Sequence, residues 1–156
     1  MIEETIETLN MHFDRAQKAY EEIIIFKDLL CTDTFEDFEK VKSIDTFVFR
    51  FIKIQDLTGG KLFKELLSLL GDYNDNMTML DVLDKLEKIE LIESANDWLE
   101  YRKLRNELTH EYPGNIGEVI EGIKSALDAY VIIEQVFTRI KKYLIDRGLS
   151  NNYFTV

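Results

Sequence analysis

The chain has 156 residues, 46% of them hydrophobic and 31% charged, which is the size of one domain with enough apolar side chains for a core and too apolar for disorder. One proline and seven glycines are too few for the turns of a sandwich or barrel, so composition points to helices. A formal charge of −11 excludes broad nucleic-acid binding, which needs cations to displace condensed counterions, and leaves room only for a small local cationic site.

From the N-terminus, Met1-Ile2-Glu3-Glu4 shows no basic stretch leading into an apolar one, so no signal peptide is expected. Residues 2–30 read as one long helix, with Ile2, Ile6, Leu9, Phe13, Ala16, Tyr20, Ile23 and Leu30 in the three- and four-residue step of a buried stripe. His12 sits beside that stripe as a surface or boundary histidine. Ile23-Ile24-Ile25 is flanked by Glu21, Glu22 and Lys27, and no apolar run reaches the roughly 20 residues of a membrane span. A soluble cytoplasmic protein is expected. The single cysteine, Cys31, excludes an internal disulfide and a cysteine-based metal cluster, and reads as a small side chain ending the first helix.

Thr32 or Asp33 is placed to cap a second helix with Phe38, Val41, Ile44, Val48, Phe51 and Ile54 inward, and Phe47 and Phe49 widening the apolar surface. Gly59-Gly60 predicts a kink or short break before Leu62, Phe63, Leu66, Leu67 and Leu70 resume the pattern. A polar loop follows Gly71. Thr78 with Asp81 forms a capping box for a short helix holding Leu80, Leu83 and Leu86, and Ser94 with Asp97 starts another. That helix carries Trp98, Tyr101, Leu104 and Leu108 and must stop near Tyr112, ahead of Pro113-Gly114. Asn115 with Glu118 starts the last helix, about 30 residues long on its periodicity, which Gly148 ends. Residues 1–156 thus read as a single domain: an all-α up-and-down bundle of four long helices plus one short helix.

Charge is uneven along the chain. Between Asp81 and Glu100 stand seven acids and two bases, a solvated face, and Arg102, Lys103 and Arg105 follow at once. No phosphate-binding glycine loop, metal-spaced histidine pair or nucleophile elbow is present. The exceptional stretch is residues 105–113, which gathers an always-charged guanidinium, a group that titrates near neutrality, an amide and a phenol at a helix end. Metal-free phosphodiester cleavage needs such groups: a base for the ribose 2′-hydroxyl and a fixed cation for the pentavalent phosphate. On an ideal helix Asn106 and His110 share a face, whereas Arg105 and His110 do not. A two-fold dimer would bring both residues from both chains into one cleft. The bland alternative is a helix C-terminus stabilised by cations.

The run Arg105-Asn106-Glu107-Leu108-Thr109-His110-Glu111-Tyr112 resembles the Arg-x4-His-x-Tyr signature of HEPN proteins, specifically the HepT-like toxins paired with minimal nucleotidyltransferases. The helical plan and Phe-Arg-Phe-Ile-Lys-Ile-Gln-Asp at 49–56 are similar as well. The resemblance implies a homodimeric, metal-independent ribonuclease with no cofactor, Arg105 and His110 as its catalytic pair, and Asn106 shaping the site. It implies further that Tyr112 is AMPylated by a cognate nucleotidyltransferase antitoxin, which blocks the RNA cleft. Arg50 and Asp56 are candidates to face the site or to form ion pairs at its boundary. The alternative reading is a non-catalytic HEPN subunit that holds substrate for a nucleotidyltransferase.

Overall fold

The computed structural model describes residues 1–110 and 115–149, and these are all-helical, with no strand among them. Helix α1 (Ile2–Ile24) packs along α2 (Phe38–Leu57). A π-helical turn (Thr58–Leu62) then leads straight into α3 (Phe63–Leu69). The short α4 (Met79–Lys88), then α5 (Ala95–Leu108) and the long α6 (Ile116–Asp146), complete a helical bundle.

The core stripe of α1 follows the sequence pattern, with Ile2, Ile6, Leu9, Phe13, Ala16 and Ile23 buried. The helix does not run to residue 30, however. Ile25 is 84% exposed and Leu29 74% exposed, while Phe26 and Leu30 pack against the core from a tighter turn. The chain instead tightens through an i→i+3 bond from Phe26 N–H to the Ile23 carbonyl. Lys27 pins this turn to α6 through Asp128 at 2.8 Å. Cys31 therefore does not end a helix. It is exposed, and its N–H donates to Thr34 Oγ1 at the start of a 3₁₀ stretch (Thr32–Glu36). Capping of α2 passes from the expected Thr32 or Asp33 to Asp37, whose Oδ1 accepts from Glu39 N–H. The inner face of α2 shifts accordingly: Phe38 is exposed, whereas Phe47 lies fully inside with Ile44, Phe51 and Ile54.

Gly59-Gly60 does not break the rod. An i→i+5 bond from Phe63 N–H to the Thr58 carbonyl absorbs an extra residue, and the helix continues. The Thr78–Asp81 capping box forms in both directions. Ser94 Oγ caps α5 by accepting from Asp97 N–H. Helix α5 ends at Leu108, one turn before Tyr112. Tyr112 and Pro113-Gly114 lie outside the described residues. Asn115 is the N-cap of α6 without a side-chain capping bond. The α6 stripe of Ile123, Leu127, Tyr130, Ile133, Phe137, Ile140 and Leu144 is buried as its periodicity predicts. No helix among the described residues is long and apolar enough to cross a membrane.

Three helix ends close with the same paired backbone bonds, at Gly71, Glu90 and Gly148, all at positive φ. Glu90 alone carries a Cβ there, at φ 64°, held by Leu91 N–H on the Leu86 carbonyl and by the burial of Leu91. Glu90→Gly is expected to raise the unfolding free energy by about 1 kcal/mol, since relief of the left-handed strain exceeds the added chain entropy. Urea titration checks this; a lower midpoint would show that Glu90 is not strained.

Candidate functional site

The C-terminal end of α2, the π turn and one stripe of α5 enclose a cleft of about 350 Å³. Helix α5 contributes Trp98, Arg102, Arg105 and Asn106, which recur at the three- and four-residue step and so line one face. Gln55 and Asp56 come from α2, Gly59 and Gly60 from the π turn, and Met79 from the start of α4. Trp98 is the anchor: it is buried, with its ring centroid 4.6 Å from that of Phe63 and 6.1 Å from that of Tyr101. The glycine at 59 lets the π turn approach this indole closely. A Cβ there would stand 3.1 Å from Trp98 Nε1, so the indole would have to give by a few tenths of an ångström.

Arg105 is fixed rather than swinging. Its Nε donates to Asp56 Oδ1 and its Nη2 to Asp56 Oδ2, both at 2.7 Å, and Nη1 reaches Asn106 Oδ1 at 3.4 Å. A two-point fork of this kind defines the plane of the guanidinium. The bond to Asp56 pushes the Arg105 pKa above its ordinary value against the desolvation that lowers it, so the cation is permanent. With side chains 27% and 46% exposed, the pair contributes at most about 1 kcal/mol to stability. Its main consequence is orientation.

Gln55, which precedes Asp56 on α2, is 4% exposed, and its buried Nε2 has no hydrogen-bond partner among the described residues. A buried amide left unpaired costs about 1–3 kcal/mol.

His110 is elsewhere. It stands past the end of α5, exposed, with its N–H on the Glu107 carbonyl. It lines a second cleft with Glu107, Glu118, Glu121 and Ser125, and the two clefts share no lining residue. Asn106 accompanies Arg105, not His110, because the helix that would have put Asn106 and His110 on one face stops at Leu108. Within one chain, therefore, the structure joins Arg105, Asn106 and Asp56 and leaves His110 on the neighbouring surface.

No family model, curated protein or solved structure matches the chain.

Arg50 is directed away from the Arg105 cleft. Its Nη1 lies 2.9 Å from His12 Nδ1 and 3.6 Å from Met11 Sδ, and a guanidinium only donates, so this imidazole nitrogen accepts. His12 is buried at 7% exposure rather than lying at the surface, because α2 covers that side of α1. Desolvation, then the charges of Arg50, Lys53 and Arg15, lower its pKa, and it stays neutral. Gln55, Gly59, Trp98 and Arg102 were not read from the sequence as residues of a site. The available signal was the stripe Trp98, Arg102, Arg105, set against a double glycine inside an otherwise unbroken helix.

Proposed function

We propose that the chain is a HepT-like toxin with an up-and-down HEPN bundle, a metal-independent endoribonuclease of the cytoplasm that acts at a homodimer cleft. The observation carrying this reading is the pairing of Arg105 and Asn106 on the last turn of α5, with the guanidinium oriented by Asp56. His110 and Tyr112 follow at the spacing of the Arg-x4-His-x-Tyr signature. In the proposed reaction His110 takes the proton of a ribose 2′-hydroxyl. The 2′-oxygen attacks the adjacent phosphorus, the bond to the 5′-oxygen breaks, and that oxygen leaves as a hydroxyl by taking a proton back from the imidazolium. Arg105 balances the charge of the pentavalent phosphate. The products are a 2′,3′-cyclic phosphate and a 5′-hydroxyl.

Because Arg105 and His110 line separate clefts of one chain, a site that uses both draws on two copies. Light scattering at micromolar concentration should therefore give twice the 18.4 kDa chain mass; a species of single mass alone would remove the shared cleft.

Regulation follows from Tyr112. A cognate nucleotidyltransferase transfers AMP from ATP to its phenol, releasing pyrophosphate, and the new phosphodiester competes with RNA for Arg105. Incubation with the antitoxin and ATP should add multiples of one AMP to the wild type by intact mass spectrometry, and Tyr112→Phe should gain none and escape neutralisation. An unchanged wild-type mass would end the AMPylation proposal.

A second reading, a non-catalytic HEPN subunit holding substrate for a nucleotidyltransferase, is favoured by the carboxylate already on Arg105 and by the three glutamates around His110. Expression without the partner separates the two. The toxin arrests growth, and the arrest disappears on co-expression of the antitoxin, whereas the subunit leaves growth unchanged.

A further inference from the structure

A charge of −11 leaves room for nucleic acid only at a small cationic site, and α1 and α2 build one beside the Arg105 cleft. Phe49, Lys53 and Asp56 recur at steps of four and three on α2 and so share one stripe. Asp56 is the residue that holds Arg105. The Phe49 ring is 50% exposed, with the Arg50 guanidinium 5.0 Å and the Lys53 ammonium 5.5 Å from its centroid. Arg15 of α1 stands near enough for its charge to act on Arg50 and His12 alike. After desolvation, the charges of Arg50, Lys53 and Arg15 lower the His12 pKa, and no carboxylate opposes them.

Neighbouring cations are matched by acids: Lys18 pairs with Asp14 and Lys42 with Glu39. Arg15, Arg50 and Lys53 have no carboxylate in ion-pair contact among the described residues. Arg50 meets an imidazole nitrogen and a thioether instead. In a chain with 30 acidic residues, these cations around a half-exposed ring form an anion site with an aromatic platform.

We propose that this face binds single-stranded RNA outside the cleavage cleft, a base stacking on Phe49 and backbone phosphates meeting Arg15, Arg50 and Lys53. A ring among cations suits a single strand, since every base has a π-face and every linkage a phosphate. An acidic protein would use the cations and leave the ring idle, and a duplex hides its base faces. Phe49 lies about 10 Å from Asp56 at the rise of an ideal helix. A strand whose scissile phosphate rests on Arg105 therefore continues along α2 onto Phe49. That the strand is a substrate rests on the ribonuclease reading.

Binding is measured by fluorescence anisotropy on the full chain carrying His110→Ala, which leaves a labelled single-stranded oligouridylate uncut. Adding Phe49→Leu should weaken binding about tenfold, the size of one base–aromatic stack, whereas Phe49→Tyr should retain it. Arg15→Gln and Lys53→Gln should each reduce the slope of log affinity against log salt by about 0.7, one phosphate contact on a single strand. Phe49→Leu should leave that slope unchanged. An RNA duplex of equal length should bind more weakly than the single strand. Undiminished binding by Phe49→Leu, equal binding of the duplex, or no binding of either RNA, as a face built for an acidic protein would give, overturns the proposal.

With His110 in place, Phe49→Leu should raise KM for the oligonucleotide about tenfold and leave kcat unchanged. It should not affect a dinucleoside monophosphate, which offers no second phosphate to this face. Binding through Phe49 without cleavage by the wild type retains this face and discards the ribonuclease. Cleavage with a KM indifferent to Phe49 discards this face alone.

Discussion

Arg105→Ala and His110→Ala should each reduce RNA cleavage at least a hundredfold and relieve growth arrest, with the fold intact. General acid–base groups contribute roughly 10²–10⁴-fold, and fixed charges at the developing phosphate roughly 10²–10³-fold. The expected stability cost is small for a clear reason. Arg105 gives up a partly exposed pair with Asp56, worth at most about 1 kcal/mol, and His110 is exposed beyond the last turn of α5. Circular dichroism and a melting curve should then match the wild type while cleavage is lost. Arg105→Lys sharpens the test. It retains the charge but cannot hold both oxygens of Asp56 in one plane, so activity should recover only in part. Cleavage should also persist in EDTA, since the proposed chemistry employs an imidazole and a guanidinium. If chelation abolished activity and Mg²⁺ restored it, the mechanism would be wrong. Full activity in Arg105→Ala would be equally decisive against it.

How far the sequence reached depended on whether the deciding forces were local. The stripes of α1 and α6 were readable because one helix face buries one residue type at a fixed step, and Ile6, Leu9, Ile133 and Phe137 are all inside. The Thr78 and Ser94 caps were equally legible, since their bonds close within three residues. Legibility failed where tertiary packing decided. Ile23 and Leu30 continue the periodicity of α1 and are both buried, yet the helix ends at Ile24 and Leu30 reaches the core from the tighter turns that follow. Gly59-Gly60 was read as a kink or short break because the indole of Trp98, which lies close against Gly59, is remote in sequence. Of the residues named from the Arg105–Tyr112 run, Arg105 and Asn106 line one cleft and His110 another. Asp56, the partner of Arg105, lies 49 residues from it and was named only as one of two candidates. The other, Arg50, turns instead to a buried His12.

The largest expected stability change is at Tyr130, where three helices meet. Its ring lies 5.3 Å from Tyr20, 6.0 Å from Phe13 and 5.5 Å from Phe47, centroid to centroid, linking α6 to α1 and α2. It is 1% exposed, and its hydroxyl donates to Gln17 Oε1 at 2.9 Å. Tyr130→Ala should cost about 3–5 kcal/mol, the transfer of a large ring plus the void left among rigid aromatic neighbours. That is a large part of the roughly 5–15 kcal/mol holding a domain of this kind together. Tyr130→Phe retains the ring and should cost about 1 kcal/mol near neutrality for the lost bond. Alkaline pH separates the two contributions. Burial, and after it the charge of Glu134, holds the Tyr130 phenol far above its ordinary range, so the folded chain retains a proton that the unfolded chain releases above pH about 10. With more protons bound in the folded state, the stability supplied by the neutral phenol is whole below that pH and declines as pH rises. Tyr130→Phe has no such proton to retain. Its deficit against the wild type, measured by urea titration, should therefore shrink above pH about 10 and then reverse. A difference that stayed constant across that range would mean that the Tyr130 phenol ionises as readily inside the bundle as it does in water.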